Sequence, residues 1–273
     1  MPVIPYWNLD PIIPFGNGKG VHAFGVLVAC GILLGSWITV RRARERAVDE
    51  LHLRSAISWL LVFGFIIAHL FAVVAYEPEK VLADPLVLVK IWEGLASTGG
   101  FIGAFIGLWI YCRREKVEFA PLADVISLGL LPGWLFGRIG CYTAHDHPGQ
   151  LTDFVLGVAY PGGARHDLGF YEVLFTLALI GIFEVVRRRA LAPGRIATLI
   201  GLLYAPGRFA LDFMRITNQD PSGLHGDVRY FGLTPAQYAC LFLFALCVYL
   251  LLRKAPPAPA PVAATAKPHA KKR

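Results

Sequence analysis

Apolar runs of up to about twenty residues alternate along the chain with short polar, mostly basic, segments. A run of that length is what an α-helix needs to cross the ~30 Å hydrocarbon core of a bilayer. Seven spanning helices are predicted, over residues 22–40, 56–76, 98–112, 121–140, 168–186, 196–213 and 235–252. The third is short and spans only if it begins near Leu95 and takes in its polar ends. The fourth is broken by Pro132-Gly133, which is tolerable where neighbouring helices satisfy the freed backbone groups. Segments rich in Pro, Gly and Asn, at 1–20, 150–166 and 217–230, are read as surface caps and loops.

The charges give the pattern a direction. Arg41, Arg42, Arg44 and Arg46 close the first run; Arg113, Arg114 and Lys116 the third; Arg187, Arg188 and Arg189 the fifth; Arg253 and Lys254 the seventh. Cytoplasmic loops carry such an excess, so the expected topology has its N-terminus outside and its C-terminus in the cytoplasm. The expected fold is an all-α polytopic membrane protein, with one membrane-embedded domain over residues 1–254. A Pro/Ala-rich, then basic, cytoplasmic tail over 255–273 is expected to be disordered against the anionic inner leaflet.

Composition agrees: 56% hydrophobic, 16% charged and a mean hydropathy of +0.55 exclude an ordinary soluble domain. The net charge of +7 lies in clusters between apolar runs and does not point to nucleic acid. Five cysteines with no C-x-x-C spacing argue against a disulfide framework or a structural zinc site. The first 20 residues lack the basic and apolar regions of a signal peptide, so the first apolar run is expected to stay in the protein.

Candidate chemistry concentrates in residues 137–149, Gly-Arg-Ile-Gly-Cys-Tyr-Thr-Ala-His-Asp-His-Pro-Gly. An arginine at membrane depth is costly and calls for a partner. Arg138 and Asp146 fall at the outer end of the fourth span, Arg208 and Asp212 at the outer end of the sixth. Two guanidinium groups at one depth can clamp a phosphodiester, with the aspartates orienting them or binding a polar head group. The competing reading makes Arg138–Asp146 and Arg208–Asp212 structural ion pairs, the latter at i,i+4 spacing. His145 and His147 are read as surface loop residues rather than metal ligands. Cys141, beside His145, is either a thiol nucleophile or a buried, inert cysteine. Thr98, Gly99 and Gly100 open the third span and serve either close helix approach or anion binding by backbone N–H groups.

Residues 137–149 resemble the signature of the bacterial prolipoprotein diacylglyceryl transferases, Gly-Arg-x-Gly-Asn-Phe-x-Asn-x-Glu-x-x-Gly. Gly137, Arg138, Gly140 and Gly149 match directly; Tyr142 and Asp146 match conservatively. The likeness runs from about His22 to Gln237. It includes Asp84-Pro85-Leu86, the segment from Lys90 to Gly94, the Thr98 to Gly103 motif, Asp124, Tyr171-Glu172, and the element from Tyr204 to Arg215. The resemblance implies transfer of a diacylglyceryl group from phosphatidylglycerol to the lipobox cysteine thiol of prolipoproteins, in the bacterial inner membrane and without a cofactor. It implies Arg138, Arg208, Asp146, Asp212 and Tyr204 as catalytic, with Gly149, Cys141, Thr98, Gly99, Gly100 and Phe24 joining the two arginines in substrate binding.

The chain departs from that pattern at several positions. Thr98 stands where the family has the histidine proposed as its base, Phe24 where it has a tyrosine, Cys141 and Ala144 where it has asparagines, and His69 near an expected arginine. Threonine is no base at neutral pH, so the proton must go elsewhere, to His145, His22 or His69 if one is turned inward. The alternative is a divergent paralogue that acts on another substrate or binds or transports phospholipid.

Overall fold

The computed structural model describes residues 4–7, 12–14, 20–91, 94–217, 220 and 226–253. The tail expected at 255–273 lies outside them. Seven long helices make up the bundle: α1 (Ala23–Glu45), α2 (Glu50–Phe71), α4 (Ser97–Glu115), α5 (Phe119–Ala144), α6 (Leu168–Val186), α7 (Arg195–Leu211) and α8 (Pro235–Leu252). Six are long and apolar enough to cross a membrane by length and composition. Among the described residues, α4 is the long helix that does not qualify, because four glycines and the closing arginines dilute its apolar stretch. A short helix α3 (Pro78–Ala83) and a 3-10 turn (Pro85–Val89) fill the expected loop between α2 and α4.

Helix starts follow their capping chemistry. Asp49 and Asp167 accept the backbone N–H groups of His52 and Phe170 at the starts of α2 and α6. Thr234 and Gln237 form a reciprocal capping box at α8. For α7 the cap comes from another helix. Its flanking residue is Gly194, without a side chain, and the buried carboxylate of Asp124 on α5 accepts from Gly194 N and Ala197 N, both at 2.8 Å.

The expected break at Pro132-Gly133 is not there: α5 runs through it without interruption. These residues serve the contact with α1. A Cβ on Gly31 would lie 2.5 Å from Gly133 O, and one on Gly129 would lie 2.4 Å from Gly35 O. The α2–α4 pair repeats the device, with Gly99, Gly103 and Gly107 facing Ile67, Phe63 and Trp59 so closely that a Cβ would come within 2.3–2.7 Å of their carbonyls. Small residues at helical spacing let antiparallel backbones touch in both pairs.

The all-α expectation is corrected at one end of the bundle. There β1 (Ile4–Pro5), β5 (Val158–Ala159), β6 (Arg165–Asp167) and β4 (Pro148–Leu151) form a four-stranded sheet in that order, and β2 (Ile12–Pro14) pairs with β3 (Gly20–His22). The segment between α5 and α6 is therefore structured rather than a plain loop. The basic clusters gather at the opposite end, where Arg42 meets Glu184 at 2.8 Å, Arg46 donates to Arg187 O and Arg195 donates to Leu250 O and Leu251 O.

Candidate functional site

Where α5 ends and α6 begins, a chain of buried charges crosses three helices. Arg138 on α5 is 3% exposed and sends Nε to within 2.8 Å of Glu172 Oε2 on α6. Arg208 on α7 is 5% exposed and brings Nε to 3.5 Å from Glu172 Oε1. Glu172, 1% exposed, is thus the shared counter-ion of both arginines. Its contacts are close but off the hydrogen-bond axis: among the described residues neither carboxylate oxygen nor Arg138 Nε has a partner with hydrogen-bond geometry.

The chain continues through Asp212. That carboxylate takes short contacts from Arg208 Nη1 and Thr234 Oγ1, and accepts from Arg215 Nε at 2.7 Å. Arg215 reaches on to Asp227, and Arg229 donates to Asp212 O at 3.1 Å. In this network Arg138, Arg208, Arg215 and Arg229 face Glu172, Asp212 and Asp227, one positive charge in excess. Charge of this kind inside a membrane bundle is expensive unless paired, and breaking one partner costs about 3–5 kcal/mol.

The expected pair of Arg208 with Asp212 is present. The expected pair of Arg138 with Asp146 is not: Asp146 lies at the surface against His147, with 41% of its side chain exposed. Helix α5 is closed by His145, which adopts a left-handed conformation at φ 48°, and Asp146 follows it in the turn. The expectation that both histidines lie on the surface also needs correction. The His145 side chain is only 6% exposed, with Nδ1 3.0 Å from Asp167 Oδ2 and Nε2 3.2 Å from Trp7 O, and its ring stacks on Tyr6.

Arg138 gathers several other candidates. Its guanidinium lies 4.2 Å above the Trp134 ring, donates to Ser97 Oγ at the start of α4 at 3.4 Å, and approaches Cys141 Sγ at 3.7 Å. Thr98 follows Ser97 in the same helical turn, half-buried. Gly99 is used for packing against α2, and Gly100 sits more openly, with Ala68 Cβ 3.8 Å from where its own Cβ would be. Phe24 lays its ring on Gly140, so that a Cβ there would be 2.9 Å from it. Tyr204 packs between Phe101 and Phe175 and lies within electrostatic reach of Glu172, Arg138 and Arg208. Gly149 meets other arginines than Arg138 and Arg208: it bridges to Arg215 through backbone and accepts from Arg165 Nη1 at 2.9 Å, and a Cβ would meet Met214 O at 2.6 Å.

Sequence reasoning missed Glu172 as a site residue. A glutamate inside an otherwise apolar helix was the available signal.

The defining pattern of the prolipoprotein diacylglyceryl transferases matches residues 12–253. The chain belongs to the prolipoprotein diacylglyceryl transferase family. Relatives named phosphatidylglycerol–prolipoprotein diacylglyceryl transferase include that of Chromohalobacter salexigens, 32% identical over 263 residues, covering 90% of this chain and 94% of the relative. That of Nitratidesulfovibrio vulgaris is 28% identical, covering 96% and 100%, and one from Cereibacter sphaeroides is 28% identical, covering 93% and 98%.

Against the family background the histidines named as substitute bases can be placed. His22 is exposed in β3. His69 is fully buried, its two ring nitrogens 2.8 and 3.2 Å from the carbonyls of Val87 and Gly94. His145 is held by Asp167, Tyr160 and Trp7. None of the three has an interaction with Thr98 or Arg138 among the described residues.

Proposed function

We propose that this protein transfers the diacylglyceryl group of phosphatidylglycerol to the lipobox cysteine thiol of prolipoproteins. We place it in the bacterial inner membrane as seven spans, α4 included, with the arginine centre toward the outer side and the basic clusters toward the cytoplasm. The observation that carries the reading is the convergence of Arg138 and Arg208, from different helices, on the single carboxylate of Glu172. A phosphodiester entering beside that carboxylate meets two preorganised guanidinium groups and a network with one positive charge in excess.

In the reaction, the sulfur of the substrate thiol attacks the diacylglyceryl carbon that carries the phosphate ester and gives up its proton as it does so. The carbon–sulfur bond forms, the carbon–oxygen bond breaks, and its electron pair leaves on glycerol phosphate. Arg138 and Arg208 stabilise the charge that develops there. Glu172 and Asp212 hold the arginines, and Tyr204 offers a hydroxyl from α7. With Thr98 in place of the family histidine, the thiol proton passes to the departing phosphate, whose oxygens lie on the arginines. Cys141, Phe24, Thr98 and Gly100 line the approach, and Asp146 and Gly149 fix the turn beyond it.

Complementation tests the assignment. Expression in a bacterium depleted of its own transferase is expected to restore growth and lipoprotein modification, and Arg138→Ala or Arg208→Ala to abolish the rescue. Failure of the stably expressed wild-type chain would instead favour phospholipid binding or transport by a divergent paralogue.

A further inference from the structure

The turn that follows α5 does more than leave the helix. The left-handed residue His145 folds the chain back, so that Asp146 and His147 return over the last turn of α5. One donor atom from each of Cys141, Asp146 and His147 then lies within 4.8 Å of the others. We infer that these three residues form a site for a borderline-soft divalent cation such as Zn2+, a role that adjacent residues Asp146 and His147 could not have suggested by themselves.

Donor chemistry and access both suit the ion. Zinc takes thiolate, imidazole and carboxylate ligands together, and three protein ligands leave a fourth position for water. Cys141 is 7% exposed, whereas Asp146 and His147 keep 41% and 26% of their side chains open, giving a buried soft ligand with two ligands at the solvent side. Asp146 and His147 already touch one another, and a bound ion would take the place of that contact. The cation next to the thiol is Arg138, with Nη1 at 3.7 Å and Nε paired with Glu172. A bound ion would fasten the turn between α5 and β4 to the helix that carries Arg138.

This inference does not rest on the transferase reading, and binding tests it directly. The full chain, purified in detergent, stripped with chelator and carrying Cys30→Ser to remove the exposed thiol, is titrated with Cd2+ and Co2+. The expected result is one equivalent bound, with a thiolate-to-metal charge-transfer band and a rise in thermal midpoint. Cys141→Ser removes the band, while His147→Ala, a partly exposed position that leaves the helix intact, weakens binding at least about tenfold. Absence of the band in the Cys30→Ser protein overturns the site, as does a band that survives Cys141→Ser, or unchanged affinity in both His147→Ala and Asp146→Asn.

Discussion

Two parts of this bundle are held together in opposite ways. The α1–α5 and α2–α4 pairs touch backbone to backbone through glycines. The ends of α5, α6 and α7 meet instead through a chain of arginines and carboxylates linked by Glu172 and Asp212. In the glycine pairs nothing can be added; in the charged centre nothing can be taken away. The second arrangement is the costlier one inside a membrane, which is why it is the part to assign to chemistry.

The sharpest break of that contrast is Glu172→Ala, which leaves two buried guanidinium groups facing each other. A loss of about 3–5 kcal/mol in detergent unfolding and loss of lipoprotein modification are expected. Retained activity would remove Glu172 from the site. Next come the glycine pairs: Gly103→Val, whose first added carbon falls 2.3 Å from Phe63 O, should cost about 1–3 kcal/mol through overpacking. Gly25→Ala and Gly181→Ala, with nothing within 4 Å, should be neutral or gain up to about 1 kcal/mol in the same assay.

An effect of similar size is expected at Asp124, the cap that reaches α7 from α5. Asp124→Ala leaves the N–H groups of Gly194 and Ala197 without their acceptor, at a cost of about 1–3 kcal/mol. Faster hydrogen exchange at these two amides is the readout, and exchange unchanged from wild type would show that the cap is dispensable. The smallest effect is a pH response in the sheet. Burial holds the His166 ring below its ordinary value, beside the Tyr171 hydroxyl at 2.9 Å. The fold prefers neutral His166, so its contribution is present above about pH 6.5 and is lost as the pH falls through that value and below the folded one. Proteolysis within residues 148–167 should rise between pH 7 and pH 5 in wild type, with the rise diminished in His166→Gln.

The sequence patterns reached α6 and α8 to the residue, because their apolar runs have sharp polar boundaries. They failed at Pro132, since periodicity does not reveal that neighbouring glycines need a continuous helix there. Arg138, Arg208 and Asp212 were legible as costly charges in apolar runs. Their connection was not: the competing ion-pair reading matches Arg138 to Asp146, eight residues on in the sequence, whereas its partner Glu172 comes from the next helix. Contacts between helices, the Asp124 cap among them, leave no local spacing to read.

The Arg138–Glu172 pair also has a consequence for how the chain enters the membrane. Arg138 is synthesised first, and the whole β4–β6 segment and the first turn of α6 must follow before its counter-ion exists. At ~5–20 residues per second this is a delay of seconds. During that interval a lone arginine at the end of α5 belongs in the polar interface rather than among lipid tails. Helix α5 is therefore expected to settle to its final depth only with α6 beside it, the two inserting as a hairpin closed by the first ion pair of the site.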